Sequence, residues 1–273
     1  MNRYGLFNWI LLILSSLVLL FLVAPLIGLF LSTGAGDLFA TANDSSVRQS
    51  ILLTVCVSFC ATLIFSVAAV PFAWFLARKD FFMKNVVQGI IDLPVVLPHT
   101  AAGIALLGVI SRDGFLGRMA SAVGLDLVNN PKGIALAMAF VSLPFLINSA
   151  RDGFSSIPVR LEKAALNLGA SQFRVFITIS LPLAWRSIIT GFVMMFARGM
   201  SEFGAVVIIA YHPMIAPVLI YDRFSSFGLK YARPAAVIFI IVVLLVFTLL
   251  RILSVRQKPS EKQSEDAGAR QNI

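Results

Sequence analysis

The run Trp9–Leu31, WILLILSSLVLLFLVAPLIGLFL, contains no charged residue. An α-helix rises about 1.5 Å per residue, so about 20 apolar residues cross the roughly 30 Å hydrocarbon core of a bilayer. This run is long enough. The whole chain shares its character: of 273 residues, 59% are hydrophobic and 13% charged, and the mean hydropathy is +0.91. A soluble domain carries about 25% charged residues. The alternating ten-residue pattern of a membrane barrel is absent. The sequence therefore predicts an all-α membrane protein. The apolar run is longer than the core of a signal peptide, and no small-x-small cleavage site follows, so it reads as an uncleaved anchor.

Working outward, six spans are expected, at about 9–31, 50–77, 86–110, 133–150, 184–211 and 234–253. With both termini inside, fourteen Lys and Arg fall on cytoplasmic segments, seven on outer loops, and Arg198 within a span. That bias follows the positive-inside rule and places both ends in the cytoplasm. It also accounts for most of the net charge of +9, which therefore does not point to nucleic acid. Cys56 and Cys60 in the second span read as small buried packing residues; no ligand-spaced His or carboxylate accompanies them. The outer segment 212–233, with Pro213 and Pro217, is expected to fold partly back into the membrane. One transmembrane domain is expected over 1–253, and the polar tail 254–273 has the composition of a disordered segment.

The third span is interrupted by Asp92-Leu93-Pro94-Val95-Val96-Leu97-Pro98-His99-Thr100. Proline removes a backbone donor, and a carbonyl freed inside a membrane must face protein or a water-filled cavity. The break is either a hinge beside a pathway or a packing kink. In the fifth span, Arg198 and Glu202 lie one turn apart at a depth where charges are costly. They either neutralise each other or form part of an anion pathway with Ser201 and Phe203. Met200 and Phe203 read as gate plugs or as plain packing, and His99 as a satisfied buried imidazole or a substrate contact. Ala197, Ser201 and Ala205 recur every four residues, a small-residue stripe suited to a close helix seam.

Between spans four and five lies a polar loop, 151–182. Pro158 suits a first helical turn. Leu161, Ala164, Ala165 and Leu168 then make one apolar stripe at helical spacing. Gly169 suits a left-handed helix end. Ser171 is placed to cap a second short helix, with Phe173, Val175, Phe176 and Ile179, ending before Pro182. The stripe either packs on the protein's own spans or enters a groove on a partner.

Ala164, Ala165, Gly169, Ile179, Leu181 and Pro182 resemble, at matching spacing, the cytoplasmic loop motif of ATP-binding-cassette (ABC) importer permeases. That motif reads Glu-Ala-Ala, three residues, Gly, nine residues, Ile, one residue, Leu-Pro. Lys163 stands where the motif has Glu, with Glu162 one residue earlier. Ala197–Ala205, Leu93–Gly103 and Ala216–Tyr221 are further similar to the permeases of oxyanion importers, and most of all to the tungstate group. The resemblance implies a type I ABC importer permease fold with a coupling helix. Its ATPase contact would be Glu162, Lys163, Ala164, Ala165, Leu168, Gly169, Ala170 and Ser171. Asp92, Pro98, His99, Arg198, Ser201, Glu202 and Phe203 would line the pathway or gate. It also implies a homodimer in the cell membrane, with two ATPase subunits inside and an oxyanion-binding protein outside. The chain has no G-x-x-x-x-G-K-[S/T] phosphate loop, so ATP hydrolysis is expected on the partner, with no cofactor or metal here. A gradient-driven transporter would show repeat symmetry and more intramembrane ion ligands. A sulfate or molybdate permease is the nearer competitor.

Overall fold

The computed structural model describes residues 5–255. The helices, in order, are α1 (Leu6–Leu31), α2 (Ala35–Asn43), α3 (Ser45–Arg78), α4 (Lys84–Val96), α5 (His99–Ile110), α6 (Phe115–Ala122) and α7 (Pro131–Ser155). They continue as α8 (Val159–Asn167), α9 (Gln172–Val175), a π-helical turn Phe176–Ser180, α10 (Leu181–Met200), α11 (Gly204–Ile209), α12 (Ala216–Phe227) and α13 (Leu229–Val255). Among the described residues, five helical stretches are long and apolar enough to cross a membrane: Phe7–Leu31, Ser45–Arg78, Pro131–Ser155, Gln172–Met200 and Leu229–Leu250. α4 and α5 together qualify as a sixth, bent by 114° at the break after Val96. Ser254 and Val255 still belong to α13, and the rest of the tail expected from 254 lies outside the described residues.

The chain forms two compact units. The first joins residues up to Leu53 with Met214–Val242. In it α1 is apolar all round and exposed along its length, as a helix facing lipid or a partner must be. Val47, Leu219 and Ala235 form a small core, and Asp44 pairs with Arg223. The 212–233 segment forms α12, with Ala216, Val218 and Leu219 buried, and the chain turns at Gly228 into α13.

The second unit holds Thr54–Pro213 and the chain from Val243. Its centre is α7, the most buried of the spans. Leu146, Ala150 and Phe154 on α7 pack with Leu76, Ala73 and Val70 on α3 and with Ala184, Ile188 and Met195 on α10. Small side chains let these helices approach closely. Ser149 Oγ donates to the Ser187 carbonyl at 2.7 Å, and Ser58 Oγ to the Phe196 carbonyl at 2.9 Å. Cys56 and Cys60 depart from expectation: both are exposed, because the face of α3 that carries them points away from this core.

Span five differs most from its sequence reading. Pro182 does not end a helix. It stands in the first turn of α10, and Gln172–Met200 runs on as one span of 29 residues. The π-helical turn makes this possible. Leu181 N–H bonds the Phe176 carbonyl five residues back, so the wider turn absorbs the donor missing at Pro182. The span then breaks at Ser201–Phe203, where a continuous helix is expected. The stripe Ala197, Ser201, Ala205 is therefore not one seam: Ser201 is exposed, while Ala205 is buried on α11 against α5.

Candidate functional site

Two places gather the expected functional residues. The first is the loop between α7 and α10. α8 begins after Pro158 and closes at Gly169, whose φ of +87° is the left-handed conformation that glycine adopts without strain. Ser171 Oγ accepts the Arg174 N–H at 3.3 Å and caps α9, as expected from the sequence. The apolar stripe lies on the outside. Leu161 is 43% exposed, Leu168 89% and Phe173 74%, and Ala164 is exposed beside the half-buried Ala165. The second short helix divides: Val175 is buried and Phe176 packs on Trp74 and Phe154, whereas the α8 stripe and Phe173 face outward.

What α8 turns inward is its carboxylate. Glu162 is 6% exposed. Its Oε2 accepts from Arg78 Nε at 2.8 Å and its Oε1 from Ser180 Oγ at 2.6 Å. Arg78 also donates to the Ile157 carbonyl at 3.3 Å. Burial acts to raise the Glu162 carboxyl. The bonds from Arg78 and Ser180, with the Arg78 charge, outweigh it and hold the group below the ordinary carboxylate range. Glu162 therefore latches α8 to the end of α3 and to the π-helical turn. Sequence reading missed Arg78 and Ser180. The one available signal was a lone carboxylate between Gly153 and Leu183, among three cations.

The second place is where two helix breaks meet. Arg198, in the last turn of α10, lies 2.9 Å from Glu202 Oε2 and 2.8 Å from His99 Nε2, and its Nη1 reaches Ser201 Oγ at 3.4 Å. Arginine only donates, so the histidine nitrogen facing it is the acceptor. The Glu202 contact is an ion pair by distance, off the line of the N–H bonds, which leaves Oε2 without a hydrogen bond. Oε1 accepts the Ala205 N–H at 2.9 Å and caps α11. Glu202 is 1% exposed, whereas the Arg198 side chain keeps 22% of its surface open. A Cβ at Gly204 would stand 2.7 Å from His99 Cβ, so α11 can sit on the start of α5 only with glycine there.

The structure thus brings His99, Arg198, Ser201 and Glu202 together. Phe203 is half-buried at the head of α11, and Pro98 is exposed at the head of α5. Asp92 goes elsewhere: its Oδ1 accepts from Asn148 Nδ2 on α7 at 2.6 Å. Met200 is wholly buried.

A long apolar chain with a latched polar loop and a bent span is the architecture of a membrane permease, and the comparisons with known proteins place its fold among the ABC importers. Residues 69–260 match the family model described as binding-protein-dependent transport system inner membrane component, and the chain belongs to that family of multi-pass membrane proteins. It is 39% identical over 242 residues to a molybdate/tungstate transport system permease protein of Thermococcus kodakarensis, covering 88% of this chain and 93% of that one. The corresponding protein of Pyrococcus furiosus is 42% identical over 243 residues, covering 88% and 92%. A sulfate transport system permease protein of Synechocystis is 30% identical, covering 97% and 96%. In fold, the chain is similar to a bacterial ABC transporter that imports alginate, with a TM-score of 0.72 at 19% identity over 92% of this chain and 97% of that one. The type I ABC importer permease fold expected from the resemblance is the fold adopted.

Proposed function

We propose that this chain is the membrane-spanning subunit of an ATP-driven importer for tungstate and molybdate. Two copies would form the translocation pathway, with both termini in the cytoplasm. Two ATPase subunits would dock on the loops at 151–182, and an extracytoplasmic binding protein would deliver the anion to the outer loops. The observation that carries this reading is the loop's geometry: an apolar ridge turned outward while Glu162, the one carboxylate on α8 and α9, is turned inward and latched. Such a ridge has a partner to meet, and the latch passes that partner's movement to α3 and α10. Lys163, Ala164, Ala165, Leu168, Gly169, Ala170 and Ser171 form the contact, and Glu162 holds it.

In the membrane, Arg198 is the anion-attracting group. Its charge is offset by Glu202, which suits brief passage over tight binding. His99, Ser201 and Phe203 flank it, Pro98 is the bend beside it, and Asp92 ties α4 to α7. ATP binding would draw the two loops together and switch the spans between inward- and outward-facing states, a two-state element biased by a remote ligand.

Reconstitution in vesicles with the cognate ATPase and binding protein tests this. ATP-dependent uptake of tungstate and molybdate is expected, and Gly169→Pro abolishes it. Sulfate uptake alone would move the chain to the sulfate group, and uptake independent of ATP would overturn the reading.

A further inference from the structure

The coupling surface carries an electrostatic signature of its own. Between Gly153 and Leu183 the charged residues are Arg160, Glu162, Lys163 and Arg174. Glu162 is withdrawn into the latch with Arg78 and Ser180. Arg160, Lys163 and Arg174 are exposed and have no ion pair among the described residues. An approaching partner therefore meets Leu161, Leu168 and Phe173 surrounded by three cations, with no accessible carboxylate on α8 or α9. Lys163 directly follows the latched Glu162, so its backbone is fixed while its side chain points away from the protein.

We propose that this surface fits an apolar cleft rimmed by carboxylates on the ATPase subunit, and that Lys163 is the residue that selects such a partner. The inference rests on the coupling function proposed above. Unpaired rim charges set orientation, on-rate and salt dependence, and a like charge placed opposite them repels the wrong partner. A membrane surface is the poorer match. An interfacial helix relies on a continuous face of bulky anchors, whereas the centre of α8 offers Ala164 and Ala165, a flat patch suited to close approach by another protein.

The test uses the full-length protein in zwitterionic nanodiscs, with the purified cognate ATPase subunit as the probe, at low and high salt. Wild-type affinity should fall about tenfold or more as salt rises. Lys163→Glu should weaken binding about tenfold at low salt and flatten the salt dependence, with Lys163→Met in between. Arg160→Glu provides a second variant, and all of them sit on exposed positions, so monodispersity should be unchanged. If the ATPase fails to bind the wild type at any salt, the proposed function itself falls. If it binds the wild type and Lys163→Glu binds equally well or better, the acidic rim is wrong and the importer reading stands. An effect of Lys163→Glu seen only in anionic nanodiscs would assign the cations to the membrane surface and also overturn the inference.

Discussion

Arg78 Nε and Glu162 Oε2 stand 2.8 Å apart, with both side chains 8% exposed, so the last residue of α3 is bonded to α8 in the loop between α7 and α10. The pair is buried and its geometry is supplemented by Ser180. Removing one partner leaves an uncompensated charge, which typically costs about 3 kcal/mol or more, whereas replacing both with apolar residues is close to neutral. Glu162→Ala is therefore expected to loosen the loop and uncouple ATP hydrolysis from uptake. Arg78→Met with Glu162→Leu should restore thermal stability. Unfolding scans on the three proteins check this, and equal losses in the single and double variants would sink the latch.

The same pair predicts an acid response. Because the Glu162 carboxyl is held below its ordinary value of 4.5, the latch contributes its full stability above that value and loses it as pH falls through the depressed folded-state value. Hydrogen-exchange protection of 159–180 should be flat near neutrality and decline only below pH 4.5. Glu162→Gln removes the titrating group, so its protection should not change over that acid window.

Arg198 and Glu202 should behave as a unit. Arg198→Met strands a fully buried carboxylate, and a loss of about 3 kcal/mol or more is expected. Adding Glu202→Gln removes the stranded charge and should recover folding without recovering anion uptake. Recovery of both by the double variant would show that the pair is only structural.

Gly204→Ala places a methyl group 2.7 Å from His99 Cβ, across the contact between α11 and α5. Overpacking of this kind costs about 1–3 kcal/mol. A lower unfolding temperature together with lost uptake is expected, and a variant with wild-type values of both would show that the contact yields easily.

Cys56 and Cys60 point away from the core. Changing both to Ala should alter stability by about 0.5 kcal/mol or less, as for other outward positions. Thermal unfolding of the double variant measures this, and the variant provides a cysteine-free background for labelling the loop.

The spans were legible because apolar length is read directly along the chain, and the bend in span three because Pro94 and Pro98 mark it. The break at Ser201–Phe203 carries no proline. Glu202 there caps α11 and pairs with Arg198, both contacts within four residues, but two charges at that spacing fit an unbroken helix equally well and so did not mark the break. Pro182 misled for the opposite reason: a π-helical turn upstream accommodates it. The loop's caps at Gly169 and Ser171 were local and could be read. The latch was not, because Arg78 and Glu162 lie 84 residues apart and each taken alone resembles a surface charge.

The continuous span Gln172–Met200, π-helical turn included, has the length of a lever. At about 1.5 Å per residue its 29 residues measure about 43 Å. A tilt of about 5° pivoted at the Arg198 end therefore moves the Gln172 end by about 4 Å, most of a helical turn. The gearing runs in both directions. If the proposed ATPase docks at α9, a displacement of a few ångströms there becomes a turn of a few degrees at Arg198, enough to shift its guanidinium relative to His99 with no unfolding along the way. The length of one helix thus sets how finely a movement at the Gln172 end is scaled at Arg198.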